Sequence, residues 1–568
     1  MKNYLAKQPW FILADHFLRR YFDTGIQSGE LRAGIPAMLG FATTPGLVAC
    51  ALLFDKYSTL KGWLLGALTI DRDIATLPDK YIFLTLAFAI SGLATVFKWD
   101  SLFPDRQDYM ILAPLPLRPA VVFASKFAAL AVFVLAFAIA VNIAGSIFFP
   151  PVILGNTGTF GLMLRYLLAH LAASIAASIC GALFVIVTAG LLLNVLPASA
   201  MRRAASWLQF SFLVVFVSQL FLAPQIAGKL LVFYEGPAWK SLLFPAMWFV
   251  GFYEHVLGRS SLDLSRWAAW SWNALAGGAA LSIALYVSSY FRHFSRTGET
   301  PESGVAPGRL WRLMPLPRDP QEAAIVDFLK QTIARSAVHR VILRVFLGLG
   351  CAVIFQGLVA RFVAGIGASR DATPMVLAAP LVVSFFLLAG LRLLLEVPVD
   401  RPAAWALHIV LDDAAAQPIL RGVRRVLFEL GIVAWLLVTG LVNIVLLGPA
   451  IGLQHTVFTL VVALLFLDAL LYDYRKIPFT SGLNSDRTFL GLMISGWVAA
   501  FLVYSYATTS IEAAFLGRPF GFSILLSILL GGWLFLRRQK VRWAAINTRL
   551  DLSDGPRSVI LTLDLQPK

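Results

Sequence analysis

The stretch Lys98–Pro119, KWDSLFPDRQDYMILAPLPLRP, joins two runs of residues, each apolar enough to cross a bilayer. A hydrocarbon core about 30 Å thick needs roughly 20 such residues per helix. Between them stand a cluster of charges, several aromatics and four prolines. Asp100 to Met110 predicts about three helical turns, with Trp99, Leu102, Phe103 and Tyr109 turned to lipid or neighbouring helices and Asp105, Arg106 and Asp108 turned to water. Pro114, Pro116 and Pro119 then forbid helix continuation, because each removes an amide donor and biases its predecessor toward extended geometry. A short helix followed by a stiff elbow passes force on, whereas a Gly/Ser loop would absorb it.

Runs like the two that flank this loop recur along the chain. Of its 568 residues 59% are hydrophobic and 14% charged, a composition outside the range of soluble globular domains. Twelve apolar segments are expected, six at about 33–54, 81–97, 120–149, 163–196, 205–231 and 268–291. Six more follow at about 341–365, 372–396, 426–450, 455–474, 488–508 and 517–536. The fold class is therefore an all-α integral membrane protein, organised as a first transmembrane half at 1–292, a cytoplasmic linker at 293–319, a second half at 320–536 and a cytoplasmic tail at 537–568.

The net charge of +16 has a membrane explanation and calls for no nucleic acid. Most of the 47 Lys and Arg residues fall in loops that an N-in, C-in orientation places on the cytoplasmic side, as the positive-inside bias requires. The first twenty-odd residues lack the uninterrupted apolar run of a cleavable signal, so insertion is expected to begin with the first span. Cys50, Cys180 and Cys351 each sit in an apolar segment, which offers neither a disulfide framework nor zinc spacing.

Each half is preceded by an amphipathic segment. In QPWFILADHFLRRYFD, Trp10, Leu13, Ala14, Phe17, Leu18 and Tyr21 follow helical spacing, with Asp15, His16, Arg19, Arg20 and Asp23 mostly opposite. Such a helix settles in the headgroup layer. Before the seventh span, Asp319, Pro320 and Glu322 supply an N-cap, a first-turn proline and a capping-box partner, with Ile325, Phe328, Leu329 and Ile333 on one face. The loops echo one another as well: Pro104, Asp105 and Arg106 match Pro398, Asp400 and Arg401, with Tyr109 and Trp405 following. Asn142 in AVNIAGS matches Asn443 in LVNIVLL. These echoes predict a 6+6 duplication with an axis along the membrane normal.

The arrangement resembles the permeases of ATP-binding cassette exporters of the second class, which serve drugs, lipids and polysaccharides. The resemblance is carried by Asp105, Arg106, Tyr109, Leu115, Pro116 and Leu117, with Lys126 entering the third span. It implies an interfacial helix before the first span of each half and a cytoplasmic coupling helix between the second and third. It also implies an outer re-entrant segment between the fifth and sixth, where SLLFPAMWFVGFYEHVLGRSS is too short and broken for two full spans. Asp105, Arg106, Gln107, Asp108, Tyr109, Pro116, Asp400, Arg401 and Trp405 would then meet a dimer of cytosolic ATPase subunits, in a bacterial-type inner membrane. The second half departs from the pattern, with LDDAAAQP where the Leu-Pro-Leu elbow should be.

The chain has no phosphate-binding loop of its own: its Gly228-Lys229 is preceded five residues earlier by Ala223 and followed by Leu230. ATP and Mg would be handled by the partner, and no cofactor or metal by this chain. Glu254-His255 lacks further ligands at suitable spacing and reads as a polar rim at the outer surface. Glu429, about a turn inside its span, needs a partner, for which Arg424 or Arg425 is in reach. Asp468 and Asp473 can pair with Arg475 and Lys476. Asn142, Gln219, Asn273, Gln356 and Asn443 suit interhelical hydrogen bonds and a substrate path equally. An ion-driven secondary transporter, which needs a buried carboxylate, is the alternative reading, and a membrane-embedded enzyme comes third because no His, Asp or Ser constellation clusters at one membrane face.

Overall fold

The computed structural model describes residues 8–22, 31–64, 72–103, 106–112, 114–154, 159–258, 263–293, 317–363, 374–397, 416–480 and 490–546. Among them the chain is helical and contains no strand. It divides into two compact units, Met1–Glu302 and Ser303–Lys568.

In the first unit the helices are α1 (Pro9–Phe22), α2 (Leu31–Leu64), α3 (Arg72–Phe97), α4 (Arg106–Leu112), α5 (Pro119–Leu154), α6 (Phe160–Val195) and α7 (Ala198–Ala227). They are followed by the short α8 (Leu230–Glu235), α9 (Ala238–Leu242) and α10 (Ala246–Leu257), and by α11 (Ser265–His293). The second unit holds α12 (Pro320–Arg335), α13 (Ala337–Val363), α14 (Pro374–Leu394), α15 (Ala416–Leu447) and α16 (Pro449–Leu470). After them α17 runs from Leu490–Leu502 through a π turn at Val503–Ala507 into Thr508–Phe515, and α18 is Pro519–Ile546.

Ten helices are long and apolar enough to cross a membrane among the described residues, four in the first unit and six in the second. The chain is a multi-pass membrane protein. Two of the twelve expected segments fall outside the ten. The first lies in α2, whose apolar stretch with described side chains is Ala42–Phe54. The sixth is α11, 29 residues long but diluted by Ser, Gly, Trp and Asn273.

Side-chain placement along α5 fits lipid on one side. Val132, Leu135, Ile139, Ile143 and Ile147 lie exposed at helical spacing, while Phe133, Phe137, Val141 and Ala144 are buried on the other. An exposed apolar stripe this long is stable only in hydrocarbon. Within the first unit α3 is central, packed against α6, α7 and α5, with α10 and α11 laid on α6 and α1 on α5. Close approach needs small residues: a Cβ at Gly181 of α6 would overlap the Phe88 carbonyl oxygen of α3. In the second unit α14 packs against α13, α16 and α17, while α15 packs on α16 and carries α12.

Both amphipathic segments are helices docked on their own unit. In α1 the buried face is Leu13, Phe17, Tyr21 and Phe22, while Trp10, Phe11 and Ile12 remain exposed. In α12 Asp319 caps the helix, its carboxylate accepting from the Gln321 amide at 3.1 Å, with Pro320 in the first turn. The buried face differs from the expected one: it is Val326, Leu329, Lys330 and Ile333, and Phe328 is exposed. The helix turns this way because Lys330 has an acidic partner inside the unit. Glu322 is drawn to 3.8 Å from Arg421 and 3.9 Å from Arg425.

Candidate functional site

The loop after α3 is built in two parts. Its root is a 3₁₀ turn, Trp99–Ser101, continued by Leu102 and Phe103, with Trp99, Leu102 and Phe103 all buried. Two tyrosines from other helices hold its backbone: Tyr21 of α1 donates to the Ser101 carbonyl and Tyr286 of α11 to the Leu102 carbonyl, each at 3.0 Å. Phe103 stacks on the Tyr286 ring with centroids 4.9 Å apart. Burial, with the nearby Asp108 charge, pushes the Tyr21 phenol well above its usual range, so it stays a donor at any physiological pH. The expected continuous helix from Asp100 to Met110 is thus interrupted, and helix resumes as α4 at Arg106.

Asp108, expected to face water, is buried. One carboxylate oxygen lies 2.5 Å from Lys126 Nζ, seven residues into α5, and the other 2.6 Å from Arg20 Nη1 of α1. Lys126 also sits over the Phe17 ring, 5.1 Å from its centroid. The Ser125 hydroxyl donates to the Trp10 carbonyl at 3.0 Å. The carboxylate therefore locks three elements, α1, α4 and α5, into one body, while lone buried ions would be strongly penalised. The elbow beyond is open: Met110, Ile111 and Leu115 are 62%, 67% and 47% exposed, and Pro116 is exposed with them.

Of the remaining residues expected at this site, Arg106, Gln107 and Tyr109 lie on the α4 backbone, their side chains outside the described ones. Asp105, and Asp400, Arg401 and Trp405 of the corresponding loop, lie outside the described residues. The root of that second loop is described. His339 of α13 bonds the Val397 carbonyl through Nε2 at 3.1 Å, and the Phe479 amide donates to the Leu395 carbonyl at 2.8 Å. Here too a carboxylate sits between two cations: Glu429 of α15 lies 2.6 Å from Lys330 Nζ of α12 and 2.9 Å from Arg425 Nε. Glu429 opens a π turn, Glu429–Val433, inside α15. Arg424, the other expected partner, instead grips Asp468 of α16 at 2.7 and 3.1 Å. Asp468 further accepts from Trp533 Nε1 at 2.9 Å, so its bonds run to α15 and α18 rather than to Arg475 and Lys476.

At the opposite ends of the spans lie two buried pairs. Glu254 of α10, read from sequence as a surface rim, is buried and 2.5 Å from Lys80 Nζ of α3. Tyr253 and Tyr166 flank that ammonium at 4.9 and 5.8 Å from their ring centroids. Its neighbour His255 is exposed. The adjacent Asp79 accepts from Lys56 at 2.7 Å and from the Tyr57 hydroxyl at 2.5 Å. In the second unit His455 of α16 and Glu512 of α17, both without solvent exposure, meet at 2.9 and 3.0 Å. Sequence reading passed over this pair, although His455 is the sole Asp, Glu, Lys, Arg or His from Leu430 to Leu467 and Glu512 the sole one from Thr488 to Gly517.

The five amides considered for a substrate path stand on five different helices. Asn142 is engaged by the Ala138 carbonyl and Ser178 Oγ, each at 2.8 Å, and Gln219 and Asn443 are buried. Asn273 is exposed and Gln356 half-buried. No group of three or more His, Cys, Asp or Glu able to hold a metal exists among the described residues. The cysteines are free. The sequence matches no protein-family model, and comparison with curated proteins and with solved structures returns no match either.

Proposed function

We propose that the chain is the membrane-spanning subunit of an exporter powered by a separate ATP-binding cassette ATPase, and that it moves an amphipathic or lipid-like substrate. The observation that carries this reading is the loop after α3, with its charge-locked root and its exposed apolar tip. A tip of Met110, Ile111 and Leu115 suits an apolar cleft on a partner, and the ionic lock delivers the partner's motion to α1 and α5 together. The parallel use of a carboxylate between two cations at Asp108 and at Glu429 supports a 6+6 repeat in which Asp400, Arg401 and Trp405 form the second contact. The distribution of basic residues supports a cytoplasmic side for both loops and both termini, and the resemblance to exporter permeases implies a bacterial-type inner membrane. ATP and Mg stay with the ATPase.

The test is co-purification of the ATPase with Met110→Glu/Ile111→Glu protein. Both side chains are largely exposed, so insertion and yield should match the wild type while ATPase capture is lost. Unchanged capture overturns the assignment. One observation favours the second reading, an ion-coupled transporter: the fully buried Glu512 supplies the intramembrane carboxylate such a mechanism needs. Transport that survives a collapsed ion gradient but stops without ATP selects the first reading; the reverse selects the second.

A further inference from the structure

The spans of the second unit are almost empty of charge where His455 and Glu512 meet. His455 is the sole Asp, Glu, Lys, Arg or His from Leu430 to Leu467, and Glu512 the sole one from Thr488 to Gly517. The elements packed against α16 and α17 add none nearby: 374–391 of α14, 434–447 of α15 and 519–536 of α18 carry no such residue. The other titratable groups on α17 are phenols, Tyr504, bonded to Ser384 at 2.7 Å, and Tyr506. Arg518, beyond the end of α17, is exposed. The pair must therefore balance its charge internally.

The bond geometry shows where that balance is struck. Nδ1 faces both Glu512 oxygens, at 2.9 and 3.0 Å, whereas the buried Nε2 has no hydrogen-bond partner among the described residues. With Nδ1–H toward the carboxylate and Nε2 bare, the pair carries a net negative charge; one further proton makes it neutral. In surroundings of low polarity the neutral form is strongly favoured, and protons on such a pair belong to both residues. A π turn lies just before Glu512 on the same helix, at Val503–Ala507, and π turns inside α-helices recur at functional sites.

We propose that His455 and Glu512 together form a proton-binding site within the membrane-spanning part of the second unit. The site holds one proton while the two helices are packed and exchanges it with water when they part. This inference is independent of which energy source drives the protein. Opening α16 from α17 admits water to a group that was dry, and the proton can then pass to that water.

The experiment is infrared difference spectroscopy of the purified full chain in lipid nanodiscs, between about pH 5 and pH 9, the range over which histidine charge responds to its surroundings. Wild type should show imidazole and carboxyl bands that are lost in His455→Gln and in Glu512→Gln. The exchanged variant His455→Glu/Glu512→His keeps a base beside an acid and should restore them. Should one single variant fail to fold, the other read against the wild type still decides, because removing either group must abolish the shared bands. Identical difference spectra in wild type and Glu512→Gln overturn the proposal, as does a carboxyl band that disappears instead in Glu254→Gln or Glu429→Gln. The readout needs no ATPase and no substrate, so its failure is separate from failure of the transport reading.

Discussion

Lys126 Nζ lies 2.5 Å from Asp108 Oδ2, and the two side chains are 1% and 5% exposed. The residues are 18 apart along the chain, with the open elbow at Pro114–Pro119 between them. An ion pair across the base of a loop fixes both ends of that loop. Moving its tip therefore moves α5, and the bond from Asp108 to Arg20 carries the same motion to α1.

Asp108→Ala should be costly, because it strands Lys126 in a buried position. Loss of one partner of a buried pair is worth about 3–5 kcal/mol. Thermal melting of purified protein should show a large drop, whereas Asp108→Leu/Lys126→Met should regain most of it. If the double variant melts no higher than the single one, the pair is not what holds the root.

In the second unit Lys330→Met should act in the same direction. Glu429 keeps Arg425 at 2.9 Å, so the loss is expected to be smaller than at Asp108, of the order of 1–3 kcal/mol, as for one hydrogen bond to a charged group. Hydrogen exchange should show α12 opening first, because Lys330 is its charged tie to the interior of α15. Faster exchange confined to α16 would contradict this.

Ten of the twelve expected spans, the two amphipathic helices and the Asp319 cap could be read from sequence because periodicity and capping are local. The ion pairs could not. Lys80 and Glu254 are 174 positions apart, and nothing in either neighbourhood names the other. Asp108 looked solvated because it stands in a charged run, Asp105-Arg106-Gln107-Asp108. Glu512 fell between the expected segments 488–508 and 517–536 because Thr508, Thr509 and Ser510 break the apolar run. Their hydroxyls turn back instead, Thr509 donating to the Ser505 carbonyl at 2.6 Å and Ser510 to the Tyr506 carbonyl at 2.7 Å. The polar stretch thereby satisfies itself and the helix runs on to Phe515.

Glu254→Gln should loosen α10 from α3. Lys80 would lose its charged partner and keep the faces of Tyr253 and Tyr166, each worth about 2 kcal/mol or more when desolvated. Amides of Ala246–Leu257 should exchange faster in the variant while those of α6 stay protected. Equal protection in both proteins would show that apolar packing alone, without the ion pair, secures this helix.

The side of the membrane on which the loop tip stands decides whether an ATPase can reach it. Arg118, at the foot of α5, and Arg518, between α17 and α18, are both exposed. The basic bias predicts the first inside and the second outside. In a variant with Cys50, Cys180 and Cys351 replaced by Ala, Arg518→Cys should react with a membrane-impermeant maleimide in intact cells. Arg118→Cys should react only after permeabilisation. The reverse pattern would put Met110, Ile111 and Leu115 outside, where no ATP is available, and no cytosolic engine could drive the lever built on Asp108.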